Sequence, residues 1–188
     1  PLQDIDRALA EHGRLIAKPS RDGSSYGLIF VNGTQDLVAV RAAAATEEYV
    51  IEPFVSGVET TCGVLERADG TVIALPPVEI VPAEGAFDYA AKYLAATTQE
   101  ICPGRFPPAI AARIMDDALR AHRALSCRGY SRTDFIVSGE KPVYLETNTL
   151  PGLTAASLYP KALHAQGIGF SDFLRDQIVL AEKAVRLA

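Results

Sequence analysis

The chain has no tryptophan, one methionine and only three cysteines among 188 residues. Three is an odd number, and Cys62, Cys102 and Cys127 lack the short paired spacings of structural zinc, so neither a disulfide framework nor a zinc module is expected. They read as reduced thiols buried as small hydrophobes. Lys and Arg number 18 against 23 Asp and Glu, a net charge of -5. That balance excludes a basic footprint for nucleic acid, and any anionic ligand has to be held by local Lys, Arg and backbone N–H groups. No apolar run approaches a membrane span and no N-terminal segment has signal-peptide form, so the reading is a cytoplasmic protein without a membrane partner. His12, His122 and His164 stand apart from one another and no G-x-S-x-G elbow occurs, which disfavours a Ser-His-Asp hydrolase. No G-x-G-x-x-G opens a helix, which disfavours a dinucleotide enzyme.

What is present is ordinary globular material, 48% hydrophobic and 22% charged, enough for one domain or two small ones. Asp4 to Ala10 reads as a helix leading into a strand, Leu15 to Pro19, and with Pro1 as first residue the chain is expected to be the middle of a longer protein. Strands are expected at Leu28–Val31, Glu47–Phe54, Glu59–Glu66 and Thr71–Ala74, the last two turned by Asp69-Gly70. Thr34 is expected to cap a helix reaching about Ala45. Pro76 to Pro108 reads as one long irregular stretch holding Glu79, Asp88, Tyr89, Lys92 and Tyr93, a length that goes with functional loops. Two amphipathic helices follow: Pro108 to Leu125, with Ile110, Ile114, Leu119, Ala121 and Leu125 inward, and Ser171 to Arg186, with Phe173, Leu174, Ile178, Ala181 and Val185 inward. The order is α+β with mainly antiparallel strands.

The most informative stretch is Arg132-Thr133-Asp134, a turn, and then Tyr144-Leu145-Glu146-Thr147-Asn148. Side chains repeat every second residue along a strand, so Arg132 and Asp134 share one face and Glu146 and Asn148 share one face of the next strand. If Val137 pairs with Val143 across a loop of residues 138 to 142, Asp134 lies opposite Glu146 and Arg132 opposite Asn148. Two carboxylates roughly 4 Å apart repel by about 4 kcal/mol at an effective dielectric of about 20, which calls for a cation. Two hard carboxylate oxygens beside an amide oxygen suit magnesium. Phe135, Ile136, Val143 and Leu145 make this a core-forming hairpin rather than a solvated one.

Lys18 leaves a strand and is followed by Gly23-Ser24-Ser25-x-Gly27, a loop whose backbone N–H groups could cover phosphates while the lysine adds charge. It is not a Walker A loop, because the G-x-x-x-x-G-K-[ST] spacing is missing and a strand follows. A Gly/Ser loop alone is usually a turn; it gains meaning beside the acid hairpin, since the two together equip phosphoryl transfer. Glu52 could accept from an adenine amino group or end its strand, and Glu59 could bond ribose hydroxyls or sit in solvent.

Together these residues match a known family. Lys18 to Gly27, Glu52-Pro53-Phe54-Val55-Ser56-Gly57-Val58-Glu59, Asp88 to Tyr93, Cys102-Pro103, Arg132 to Phe135, Leu145 to Thr154 and Ser157-Leu158 resemble the ATP-grasp part of D-alanine:D-alanine ligases. The resemblance implies an α+β ATP-grasp fold, with residues 1–53 as a small subdomain truncated at its N-terminus and 54–188 as the large one. It implies that Lys18 contacts phosphates, that Glu52, Pro53, Phe54 and Val55 hold adenine, and that Glu59 holds ribose. Asp134, Glu146 and Asn148 would bind two Mg2+ ions, or Mn2+. Arg132 and the Gly152 N–H would form the oxyanion hole, Ser157, the Leu158 N–H and Lys92 would hold the second substrate's carboxylate, and Ser24 with Tyr93 would close the site. The implied reaction joins two D-alanines with ATP through an acyl phosphate, for peptidoglycan precursors, in an enzyme that is a homodimer when complete. Pro53 stands where relatives often carry lysine, though the adenine contact there is partly backbone. The first-substrate domain and part of the small subdomain are missing, so residues 1 to 188 alone are not expected to make dipeptide. Lys92-Tyr93 goes with D-alanine rather than D-lactate as acceptor. A nucleotide-binding module without turnover, or an ATP-grasp ligase for another carboxylate and amine, are the alternatives.

Overall fold

The computed structural model describes residues 3–21, 23, 26–82 and 98–186, and these fall into two compact units that divide between Val55 and Ser56. The first unit is built on helix α1 (Gln3–His12), strands β1 (Leu15–Pro19), β2 (Ile29–Val31) and β3 (Tyr49–Pro53), and helix α2 (Leu37–Ala43). Ile5 and Leu9 lie one helical turn apart on α1, and the alternation of β1 sends Leu15 and Ala17 to the same side, so the two helices close a core of Ile5, Leu9, Leu15, Ala17, Val31, Leu37 and Val40 over one face of the sheet. Gly13, at φ 72°, ends α1 and returns its N–H to the Leu9 carbonyl at 2.8 Å. The strand order is β2-β1-β3, antiparallel throughout.

Thr34 is not the cap expected of it. It is the first residue of a 3₁₀ turn, Thr34–Asp36. Asp36 Oδ2 accepts from the backbone N–H of Asn32 at 2.8 Å and of Gly33 at 3.2 Å. A carboxylate has more acceptor capacity than one hydroxyl and satisfies two donors at once.

The second unit holds β4 (Val58–Glu66), β5 (Val72–Ala74), β6 (Val78–Val81), β7 (Gln99–Ile101), α3 (Pro108–Ala124), β8 (Tyr130–Ser138), β9 (Lys141–Asn148), α4 (Leu158–Ala165) and α5 (Phe170–Arg186). Its antiparallel sheet runs β7-β6-β4-β8-β9, with β5 also on β4. Cys62, Val64, Phe135 and Val137 point to one face and are covered by Ile114 and Ala118 of α3. Leu65 points to the other, with Tyr159, Ala162 and Leu163 of α4 and Phe173 of α5. The Tyr159 hydroxyl donates to the Val64 carbonyl at 2.9 Å. Thr61, Arg132 and Asp134 lie on this second face as well, and it carries the candidate site.

Gly63 lets the tyrosine approach. A Cβ there would stand 2.9 Å from Leu75 Cδ1 and 2.9 Å from Tyr159 Cε2. Gly63→Ala is therefore expected to cost about 1–3 kcal/mol by overpacking, seen as a lowered urea midpoint; an unchanged midpoint would mean that Tyr159 is free to shift.

Four other expectations are corrected. The stretch from Pro76 to Pro108 is not wholly irregular, because Val78–Val81 and Gln99–Ile101 pair as strands. Leu125 is 53% exposed and the inward row of α3 is Ile114, Ala118 and His122. On α5 only Phe173 of the expected apolar row is buried, whereas Leu174, Ile178 and Val185 are exposed. There Asp176 turns inward to Arg67, and Gln177 donates to the Glu66 carbonyl at 3.2 Å, so polar contacts to the β4–β5 turn fix the rotation of the helix. Of the three cysteines Cys62 is buried, but Cys102 and Cys127 are only partly so. No helix among the described residues is long and apolar enough to cross a membrane.

Candidate functional site

In the first unit, Lys18 lies opposite Val50 and Glu52 opposite Ile16. Both side chains therefore leave the sheet on the face away from the helices, where Lys18 Nζ meets Glu52 Oε2 at 2.9 Å. The pair is partly solvated and is worth under about 1 kcal/mol, which leaves the lysine available to an anion. The Gly-rich loop is fixed at its feet: the Ser20 N–H donates to the Glu48 carbonyl at 2.9 Å and the Tyr49 hydroxyl to the Gly27 carbonyl at 3.0 Å. Gly27 has φ 69°, and a Cβ on it would stand 2.8 Å from Pro19 Cγ and 3.1 Å from the Tyr49 hydroxyl, so only glycine fits that foot. Ser24 lies outside the described residues.

The Phe54 ring has the Arg14 guanidinium 3.9 Å from its centroid. Its N–H donates to the Arg14 carbonyl at 3.0 Å. Of the backbone groups from Glu52 to Val55, the Phe54 N–H is thus taken, and Pro53 has only a carbonyl to offer.

In the second unit, β8 and β9 bring Arg132 opposite Asn148 and Asp134 opposite Glu146, as expected. The route differs. Val137 pairs with Pro142 rather than Val143, and the turn is the short Gly139-Glu140, with Gly139 at φ 59°. A bulge then sets Phe135 opposite Tyr144 and Asp134 opposite Glu146, leaving Leu145 as the extra residue. Cross-strand partners share a face, so the two carboxylates do too. Asp134 is held closely: Arg132 Nε donates to Oδ1 at 3.0 Å, Arg132 Nη2 to Oδ2 at 3.1 Å, and the Thr61 hydroxyl to Oδ1 at 2.6 Å. Glu146 is exposed, and Asn148 Oδ1 accepts from the Leu150 N–H at 3.0 Å. Glu59, on the same face of β4 as Thr61, is half-buried.

Beyond β9, Gly152 comes close to Ser157, whose Oγ would stand 2.9 Å from an added Cβ. Ser157 Oγ lies 2.8 Å from Thr154 Oγ1 and accepts from the Thr154 N–H at 3.2 Å. Ser157 does not cap α4 with its side chain, and the Leu158 N–H, the first of the helix, has no intrahelical acceptor by position alone. Lys92 and Tyr93 lie outside the described residues.

Among the described residues no three His, Cys, Asp or Glu side chains gather as metal ligands. The donors present are the carboxylates of Asp134 and Glu146 and the amide oxygen of Asn148, a hard set that fits magnesium, which keeps its remaining positions for water and phosphate oxygens. Sequence reading missed Thr61, Tyr49 and Arg14. Each acts through a contact distant in sequence, and a lone Thr or Tyr on a strand carries no signal beyond β-propensity.

A family model described as D-ala D-ala ligase C-terminus matches residues 12–179. The D-alanine--D-alanine ligase of Syntrophobacter fumaroxidans is 45% identical over 173 residues, which is 89% of this chain and 54% of that protein. Among solved structures, the VanG D-Ala:D-Ser ligase of Enterococcus faecalis superposes with a TM-score of 0.80 at 32% identity, over 95% of this chain and 53% of that one. The D-alanine--D-alanine ligase of Bacillus anthracis complexed with ATP does so with a TM-score of 0.73 at 28% identity, over 95% and 55%. The chain spans about half the length of the curated relatives it matches.

Proposed function

The chain belongs to the D-alanine–D-alanine ligase family, with the ATP-grasp fold, and from that premise we propose that it is the nucleotide- and magnesium-binding part of an ATP-dependent carbon–nitrogen ligase. The reaction is the joining of two D-alanines through an acyl phosphate, in the cytoplasm, for peptidoglycan precursors. The observation that carries the reading is the register that puts Asp134 beside Glu146 and Arg132 beside Asn148 on one sheet face.

In this reading Lys18 and the loop ending at Gly27 hold phosphates; Glu52, the Pro53 carbonyl and Val55 hold adenine, with Phe54 as a wall; and Glu59 holds ribose. Asp134, Glu146 and Asn148 would hold two Mg2+ ions, which when bound neutralise the charge of the phosphate oxygens during transfer. Arg132, fixed by Asp134 in a two-pronged contact, meets the oxyanion that develops when the amine attacks the acyl carbon, with the Gly152 N–H as second donor. The Ser157 hydroxyl and the Leu158 N–H receive the second substrate's carboxylate together with Lys92, while Ser24 and Tyr93 close the site. D-Serine as acceptor is the second reading, favoured by the likeness to a D-Ala:D-Ser ligase.

Calorimetric titration with ATP tests the reading. Binding is expected to tighten at least about tenfold on adding Mg2+ and to weaken with Lys18→Ala; affinity indifferent to both would sink it. For the protein that carries this chain, product scored with D-alanine and D-serine in competition decides the acceptor.

A further inference from the structure

Thr61 is 1% exposed and is the register partner of Asp134 across β4 and β8. Its hydroxyl has two acceptors in range, Asp134 Oδ1 at 2.6 Å and the Thr133 carbonyl at 3.2 Å. It has one hydrogen to give. The shorter, charge-assisted contact takes it, because the carboxylate is the stronger acceptor. A carboxylate offers about four lone-pair sites, two on each oxygen. On Oδ1 the Thr61 hydroxyl and Arg132 Nε occupy both, and on Oδ2 Arg132 Nη2 occupies one. One site remains, on Oδ2.

We propose that Thr61 is a positioning residue for the metal site: with Arg132 it saturates Asp134 Oδ1, so that the carboxylate presents only Oδ2 to a divalent cation. The inference rests on the reading of Asp134 as a ligand. Its consequence is selectivity. Mg2+ requires near-ideal octahedral geometry, whereas Ca2+ accepts bidentate carboxylates and irregular shells. A carboxylate limited to one oxygen favours the smaller ion. Without Thr61 one lone pair on Oδ1 is released while Arg132 still holds both oxygens, so each oxygen has one site for a cation and the carboxylate becomes more hospitable to Ca2+. The hydroxyl is also costly to misplace, since outer-shell partners of metal ligands affect affinity by about 10- to 100-fold.

The test is water-proton relaxation of Mn2+ with a non-hydrolysable ATP analogue, in which the slowly tumbling ternary complex is separated from free Mn2+–nucleotide, followed by displacement with Mg2+ or Ca2+. Asp134→Asn is the control and is expected to lose the ternary signal. Thr61→Val, nearly isosteric, is expected to bind Mn2+ about tenfold more weakly and to be displaced by Ca2+ more readily relative to Mg2+ than the parent. Thr61→Ser restores both. Should Thr61→Val not fold, judged by thermal melting, Thr61→Ala carries the same expectation. Unchanged affinity and displacement ratio in the valine variant would overturn the role of Thr61 and leave the metal reading intact. Weakening with an unchanged ratio, or without rescue by serine, would reduce Thr61 to a structural residue. A full signal from Asp134→Asn would overturn the ligand assignment and this inference with it.

Discussion

Replacing Asp134 by asparagine is expected to weaken divalent-cation binding in the presence of nucleotide by about 100-fold or more. Residues that only orient a metal ligand already cost about 10- to 100-fold when lost, and Asp134 is proposed as a ligand itself. The substitution also does a second thing that Glu146→Gln does not. Arg132 places both its Nε and its Nη2 on the Asp134 carboxylate. An amide retains one acceptor oxygen and presents an NH2 group to the other guanidinium nitrogen, so the fork opens and Arg132 is released. Glu146→Gln is expected to weaken the metal alone. Isothermal titration with Mn2+ and the nucleotide analogue measures the first effect for both variants. The environment of the arginine, followed by 15N NMR of its side-chain Nε–H, measures the second: the Arg132 signal is expected to move in Asp134→Asn and to stay in Glu146→Gln. Equal shifts in both would mean that Arg132 is held by the metal site as a whole rather than by Asp134.

The register behind that expectation was legible in the sequence, though along a different path. Alternation alone puts Arg132 with Asp134 and Glu146 with Asn148, and the pairing of the acids follows from any hairpin whose partners sum correctly. A looser turn with Val137 opposite Val143 satisfies that sum. The protein uses a tight turn at Gly139-Glu140, shifts the pairing by one residue, and restores it with the bulge at Leu145. Two departures cancel at the acids. Without the bulge a one-residue slip would send Glu146 to the opposite face, and nothing in Tyr144-Leu145-Glu146 announces one.

The helices show the opposite case. Apolar spacing finds α3 and α5 correctly and then misplaces the inward face of α5, because counting apolar residues cannot see Arg67 waiting for Asp176. Helix α4 escaped notice since Pro160 stands in its first turn, where proline is tolerated but reads as a breaker. Local pattern found α3 and α5, and long-range partners decided their rotation.

The largest effect on stability is expected away from the candidate site, at Arg105. Glu79 is buried, and among the described residues its hydrogen-bond partners come from one residue: the Arg105 backbone N–H and Nε each reach Oε2 at 2.9 Å, and Nη2 reaches Oε1 at 2.6 Å. The arginine itself is largely in solvent. Cutting the pair from its two ends is therefore unequal. Glu79→Gln keeps an acceptor oxygen and leaves a guanidinium that water can solvate, at about 1 kcal/mol. Arg105→Ala strands a buried carboxylate with one backbone donor, and is expected to lower the urea midpoint clearly more than Glu79→Gln does. The pH dependence follows the same asymmetry. The Arg105 side-chain hydrogen bonds hold the Glu79 carboxyl below its ordinary value against the opposing effect of burial. A carboxyl lowered on folding contributes stability that is present above its unfolded value of about 4.3 and is lost as pH falls through the lower folded value. Without Arg105, burial remains as the larger influence and the carboxyl rises, so acid relieves the variant by neutralising the stranded charge. The gap between parent and Arg105→Ala is expected to be widest near neutral pH and to narrow below about pH 4. Urea unfolding at about pH 7 and pH 3.5 measures it: an equal gap at both, or a greater loss from Glu79→Gln than from Arg105→Ala, would show that the carboxylate is not the buried partner that Arg105 sustains.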